Sequence, residues 1–249
     1  MIKKAKKEKA KQVGELIFGI HPLIELLKAK RRKIISIYTT KPEPKAWQKI
    51  KELMPKYPVP IQYVKRDILT RLAGTTDHQG FVAWTQKFPF RKKFFDPKKQ
   101  KFLVMLDGIQ DPRNLGAILR SAYCTGVSGA ILTQKGSAPL NAVAIKASAG
   151  LSEHMEICIA PSAQSAAQQL KEAGYNMYIS VFDGQDATTC EFKEPLCMVV
   201  GSEGLGVSKN IIKYGTPVTL AQRTSDISYN ASVAAGILLF LVGTKNKVI

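Results

Sequence analysis

Phe102-Leu-Val-Met-Leu106, followed shortly by Asn114-Leu-Gly-Ala-Ile-Leu-Arg120, is the stretch on which the reading of the fold turns. An unbroken apolar run reads as a buried strand, and the segment behind it carries the spacing of a helix. The same alternation continues to the C-terminus. Strands are expected at 102–106, 129–133, 156–159, 176–181, 197–200 and 217–220, and helices at 114–125, 141–149, 162–173, 207–214 and 230–243. Strand and helix in alternation imply an α/β fold with a mostly parallel sheet covered on both faces. No internal repeat is present.

Polar clusters punctuate this pattern at three places. Asn114 to Arg120 follows the first strand, Gly201-Ser-Glu-Gly-Leu-Gly206 follows Cys197-Met-Val-Val200, and Ser228-Tyr-Asn230 opens the most apolar helix. Open α/β sheets build their sites at strand ends, so three such clusters point to one pocket assembled from several of them.

Ahead of residue 102 the pattern is shorter. His21-Pro-Leu-Ile-Glu-Leu-Leu-Lys28 has helical spacing, with Pro22 allowed in the first turn. Ile34 to Tyr38 reads as a strand, Ala46 to Met54 as a helix closed by Pro55, and Ile61 to Val64 as a strand. Asp67 is expected to cap a helix ending at Ala73, and Phe81 to Trp84 is a last strand. These make a small α/β unit of about 70 residues, an ordinary size for a domain. The segment 87–101, with seven basic residues, one acid and two prolines, reads as an exposed linker or a phosphate-contacting strap.

Charge divides the chain at the same place. Residues 1–101 hold 26 Lys and Arg against 8 Asp and Glu, a net +18, whereas residues 102–249 hold 11 of each. A basic half beside a neutral half fits a polyanion-binding module joined to a domain with another task, and favours nucleic acid as the partner. The four cysteines, Cys124, Cys158, Cys190 and Cys197, have no Cys-x-x-Cys spacing, and His21, His78 and His154 stand alone. Reduced thiols in a cytoplasmic protein, without structural zinc, are expected. Residues 1–11 carry six lysines and no apolar core, unlike a secretory signal, and the apolar stretch 232–243 is too short to span a membrane.

Each cluster admits a plain reading beside the functional one. The order Gly-x-x-Gly-x-Gly at 201–206 is neither a dinucleotide fingerprint nor a P-loop, since Val207 stands where the lysine belongs. It is a tight turn, or a turn whose amides approach a ligand. Asn114 can cap its helix, and Arg120, six residues on among apolar neighbours, is expected to have an anionic partner. Ser228 or Asn230 can cap the last helix, and both can offer polar groups to a ribose or an adenine.

Taken together the residues resemble the SpoU-type RNA ribose 2′-O-methyltransferases of the trefoil-knot (SPOUT) class. Three motifs match in order, at 111–120, 199–206 and 228–236, and Gly19-Ile-His-Pro with Asp77-His-Gln-Gly80 is similar to the L30e-like substrate-binding domain of the ribosomal-RNA subgroup. The resemblance implies a basic tail at 1–13, an L30e-like α/β domain at 14–86, a linker at 87–101 and a trefoil-knot methyltransferase domain at 102–249. It implies S-adenosylmethionine as cofactor, held by Gly201, Leu220 and Tyr229, the last a departure from the leucine usual there. It implies a site of Asn114, Arg120, Glu203, Ser228 and Asn230 acting on a ribose 2′-hydroxyl. In it Asn114 would position Arg120 and the ribose, Arg120 would anchor a phosphate and orient the hydroxyl, or act on it as base, and Glu203 would orient the group. The implied partners are RNA, most naturally a guanosine of large-subunit ribosomal RNA, and a second copy through the methyltransferase domain, with no membrane. Transfer RNA, or RNA binding without catalysis, are the alternatives.

Overall fold

The computed structural model describes residues 14–224 and 228–249; the tail expected at 1–13 lies outside them. The first sheet holds β1 (Glu15–Phe18), β2 (Ile34–Thr39), β3 (Ile61–Tyr63) and β4 (Phe81–Thr85), in the order β1-β4-β2-β3. Only the β2–β3 pair is parallel. Helices α1 (Ile20–Ala29), α2 (Trp47–Glu52) and α3 (Arg66–Ala73) connect the strands. The sequence pattern had no place for β1, four residues whose extension is set by pairing with β4. Asp67 does not cap α3. The cap position is Lys65, without a side-chain bond, and Asp67 sits in the first turn, accepting from Arg71 one turn on at 3.2 Å.

The second sheet is parallel throughout, in the order β10-β8-β9-β5-β6-β7. Its strands are β5 (Phe102–Asp107), β6 (Gly129–Thr133), β7 (Ile157–Ala160), β8 (Asn176–Asp186), β9 (Leu196–Gly201) and β10 (Thr216–Thr219). Both faces are covered, as the unbroken apolar runs require. Phe102, Val104 and Leu106 of β5 face a core shared with α4 (Pro112–Cys124) and α7 (Ala231–Lys245). Leu103 and Met105 face α6 (Ala163–Glu172) on the other side. The expected helix at 207–214 is a 3-10 segment, Lys209–Tyr214, and α5 (Ala142–Ala147) is short. Asn114 does not cap α4 either: Asp111 does, accepting from the Arg113 amide at 2.8 Å, with Pro112 in the first turn.

The segment 87–101 is less free than its composition suggests. Phe88 and Phe95 are buried, and Arg91 bonds Glu156 at 2.9 Å while its backbone amide reaches Ile157. It straps the two sheets together.

Helix α1 lies along the junction with the second sheet. At its start, Gln79 Oε1 accepts from the Ile20 amide at 3.2 Å and from Lys146 Nζ of α5 at 2.5 Å. This joins Gly19-Ile-His-Pro to Asp77-His-Gln-Gly80 and both to the second sheet's layer. Against its first turn, Gly150 adopts a left-handed φ of 82°, and a Cβ there would collide with the Pro22 backbone. At its end, Arg32 and Glu153, both buried, form a two-pronged ion pair, with Arg32 also donating to Glu15 at 2.8 Å and to the Gln86 carbonyl at 3.1 Å. Burial pushes the Glu153 carboxyl up even with Arg32 beside it.

Candidate active site

The chain crosses from β7 to β8, so the direction of winding reverses between the adjacent strands β5 and β9. Outside the carboxyl ends of strands at such a reversal a crevice opens. Asp107 and Gly201, paired at those ends, stand at its base.

Gly201 begins a loop that folds back on itself. The Ser202 amide donates to the Gly206 carbonyl at 3.1 Å and the Gly206 amide to the Ser202 carbonyl at 3.0 Å, while Ser202 Oγ accepts from the Leu205 amide. A Cβ on Gly201 would overlap the Gly206–Val207 backbone. The glycine is thus demanded by the loop's own return, a different reason from ligand approach. Asp107 Oδ2 accepts from the Ser208 amide at 2.8 Å and ties the loop to β5. Sequence reading missed Asp107; the signal was an acid closing an otherwise apolar strand.

Beside the loop is a cavity of about 500 Å³, within the usual range for a small-molecule site. Gly201, Glu203, Leu220, Ser228 and Tyr229 all line it, joined by Phe182, Lys209 and Gln222, which the sequence reading passed over. Phe182 and Leu205 are 70% and 89% exposed, large apolar groups held at the rim. Tyr229 is fixed by its hydroxyl, which donates to the Ala221 carbonyl at 3.3 Å.

A polar chain reaches the cavity at Glu203. Asn230 caps α7, its Oδ1 accepting from the Ser232 amide at 2.9 Å and hydroxyl at 2.6 Å. Its Nδ2 donates to Asn114 Oδ1 at 3.3 Å, and Asn114 Nδ2 donates to the Glu203 carboxylate. Three residues from three distant parts of the sequence therefore meet in a fixed donor-to-acceptor order. Arg120 is not brought to this group. Six residues of helix turn it about 240° and carry it about 9 Å from Asn114. It is exposed on α4, and among the described residues it makes no hydrogen bond or ion pair, so the expected anionic partner is not found there. Among the described residues no three His, Cys, Asp or Glu are placed to hold a metal.

The SpoU rRNA Methylase family model matches residues 101–240, more than half of the chain. The chain belongs to that family. A second model, RNA 2′-O ribose methyltransferase substrate binding, matches residues 16–91, the basic first sheet and part of the strap. The putative TrmH family tRNA/rRNA methyltransferase YacO of Bacillus subtilis is 30% identical over 95% of this chain and 98% of its own. The 23S rRNA (guanosine-2′-O-)-methyltransferase RlmB of Shewanella oneidensis is 30% identical over 91% of this chain and 95% of its own. Among solved structures, an RNA 2′-O ribose methyltransferase superposes with a TM-score of 0.83 at 19% identity, covering 98% of this chain and 93% of the other. An AdoMet-bound rRNA methyltransferase from Sinorhizobium meliloti gives 0.79 at 19% identity, covering 98% and 92%. The two-domain α/β layout is that of the family, and S-adenosylmethionine is the family's cofactor. The cavity suits it: apolar side chains in Leu220, Phe182 and Tyr229 for a flat base, and polar ones in Ser228, Gln222 and Glu203 for a ribose and an amino-acid tail.

Proposed function

We propose that this methyltransferase acts on the ribose 2′-hydroxyl of a guanosine in large-subunit (23S) ribosomal RNA. The observation that carries the reading is the Asn230–Asn114–Glu203 chain, which reaches a cofactor-sized cavity through Glu203. The guanosine and the 23S RNA rest on the RlmB relatives, each matched over nine-tenths or more of both chains. Residues 14–86 would be the substrate-binding domain, 87–101 the strap and 102–249 the methyltransferase domain, its C-terminal chain threaded as a trefoil knot.

Gly201, Leu220 and Tyr229 would hold S-adenosylmethionine, which supplies an electrophilic methyl group on a sulfonium. A ribose hydroxyl is a weak nucleophile, and must lose its proton as the oxygen–carbon bond forms and the carbon–sulfur bond breaks. Asn114, clamped between an acceptor and a donor, has its amide orientation fixed before substrate arrives. Glu203 and Ser228 stand at the pocket wall, and Asn230 backs Glu203 through Asn114. Arg120, whose guanidinium is a poor base, would anchor the adjacent phosphate and orient the hydroxyl. Its exposed position suits a group that waits for an anion from the RNA.

A homodimer belongs to the same reading. Val233, Ile237 and Phe240, 50%, 36% and 56% exposed, form one apolar stripe along α7, itself packed on α4.

The test is Arg120→Lys. A planar fork matters for phosphate and hydroxyl together, so the variant should fold and bind S-adenosylmethionine as the wild type does. It should lose methyl transfer by at least ~100-fold. Labelled methyl transfer to 23S RNA, 16S RNA and transfer RNA is the assay. Near-normal turnover would remove Arg120 from the site, and label in transfer RNA alone would move the substrate.

A further inference from the structure

A second cavity, of about 690 Å³, lies outside the methyltransferase site. It opens between the C-terminal end of α1 and the loop from α2 to β3. Its floor is apolar, from Leu26, Leu27, Leu53 and Met54, and its rim is cationic. Of the run Lys30-Arg31-Arg32-Lys33, the two arginines are committed: Arg32 to Glu153 and Glu15, Arg31 to Glu156 at 3.0 Å. The two lysines are not. Lys30, Lys33 and Lys56 all line the cavity, all are exposed, and none of their ammonium groups is in an ion pair or hydrogen bond among the described residues. Lys30 sits at a left-handed φ of 54°, a helix-ending position that glycine fills without strain.

One aromatic ring stands among these cations. Among the described residues the Tyr57 hydroxyl donates to no side chain; it accepts from the Ile34 amide at 2.9 Å, which fixes the ring while leaving it 37% exposed. The Lys33 ammonium lies 5.8 Å from the ring centroid. The wall also carries one acid, Glu52, and the amide of Gln86.

We propose that this cavity is a nucleotide subsite for a single-stranded segment of the RNA substrate, with a base on Tyr57 and phosphates on Lys30, Lys33 and Lys56. The proposal rests on the reading of the chain as an RNA methyltransferase and adds where a segment away from the reacting ribose is held. An inorganic anion needs neither the apolar floor nor so large a volume, and an acidic peptide gives no reason for a fixed, exposed ring. Base stacking on an aromatic beside phosphate-binding cations answers both. Glu52 and Gln86 offer an acceptor and an amide to the edge of the base. Because Arg31 and Arg32, just beyond α1 and in the cavity's lining, pair with Glu156 and Glu153 of the second sheet's layer, a nucleotide held here is held at a fixed place relative to the methyl-transfer site.

Two variants of the full chain test it: Lys30→Ala/Lys33→Ala/Lys56→Ala and Tyr57→Ala. The control is Lys92→Ala/Lys93→Ala/Lys99→Ala, which removes the same charge from exposed positions of the strap. Tyr57→Phe keeps the ring and guards against a folding effect. Each is titrated with a single-stranded RNA of about 12 nucleotides and with a duplex of equal length, across salt concentrations. The cavity triple should lose at least ~10-fold in single-strand affinity beyond the control, with the salt slope falling by about 2, as three lost phosphate contacts require. Tyr57→Ala should lose about 10-fold for the single strand and little for the duplex, and Tyr57→Phe should bind normally. In methyl transfer the cavity variants should raise KM with kcat near normal. Equal losses in the control triple, or unchanged binding in both cavity variants, would overturn the subsite. If wild type binds RNA through these residues yet transfers no methyl to any RNA, the activity reading fails and the subsite stands.

Discussion

Replacing Arg32 with methionine removes the guanidinium at the centre of the junction between the two sheets. The side chains of Arg32 and Glu153 are each about 1% exposed, and Arg32 fills both carboxylate oxygens of Glu153. Without it Glu153 is a buried carboxylate with no paired cation, since Arg31 touches only its backbone carbonyl. Removing one member of a buried pair costs about 3–5 kcal/mol. In a protein of this size 1 kcal/mol moves Tm by about 2–4 °C, so a loss on the order of 10 °C is expected. The pH dependence has a definite sign. Burial already raises the folded-state pKa of Glu153 above its ordinary 4.5, and Arg32→Met raises it further. A raised carboxyl favours folding fully below its unfolded value, and that contribution is lost as pH rises through the folded one. The deficit of the variant should therefore be largest at neutral pH and shrink towards pH 4.5. Glu153→Gln should be milder, because Arg32 keeps Glu15 at 2.8 Å, and Arg32→Met/Glu153→Leu should recover much of the loss. Calorimetric unfolding at a series of pH values measures all four proteins. A deficit under about 1 kcal/mol at neutral pH, or one independent of pH, would refute the account of this pair.

Gly201→Ala should abolish S-adenosylmethionine binding and lower Tm, because its Cβ overlaps the returning loop, whereas a Cβ on Gly204 meets nothing within 4 Å. Gly204→Ala should bind normally by calorimetry, and equal behaviour of the two would show that the loop return is not what Gly201 serves. Burial, then the nearby Arg66, hold the His78 pKa below 6.5, with Nδ1 accepting from the Gly80 amide at 3.0 Å. The unfolded chain binds the extra proton first, so stability should be full above about pH 6.5 and fall below it, and His78→Gln should flatten that fall in pH-dependent unfolding.

The second sheet was legible because its determinants are local. Each strand is a short unbroken apolar run, each helix has its own spacing, and a parallel sheet buried on both faces needs no more. Where the pattern failed, partners elsewhere decided. β1 is extended because β4 is beside it, and Asp111, with Pro112 behind it, caps α4 ahead of Asn114. The strap 87–101 looked solvent-exposed because its lysines outnumber its anchors. Phe88, Arg91 and Phe95 nonetheless fix it, and no composition shows which few residues of a basic run will be buried.

The candidate site divides along the same line. Glycines and small polar residues after apolar runs mark strand ends, and so the sequence alone groups Gly201, Glu203, Ser228 and Tyr229, which share one cavity. Which of them touch could not. The Asn230–Asn114–Glu203 chain depends on β9 and β5 lying side by side and on α7 packing against α4, and both are properties of strand order and packing. Arg120 shows the limit most sharply. Its spacing from Asn114 is fixed by the sequence at six residues, and helix geometry alone turns it away from the hydrogen-bonded chain that Asn114 joins. A role for Arg120 in methyl transfer therefore requires that its anionic partner come from outside the described residues of this chain. RNA phosphate is the partner that the basic first hundred residues are built to bring.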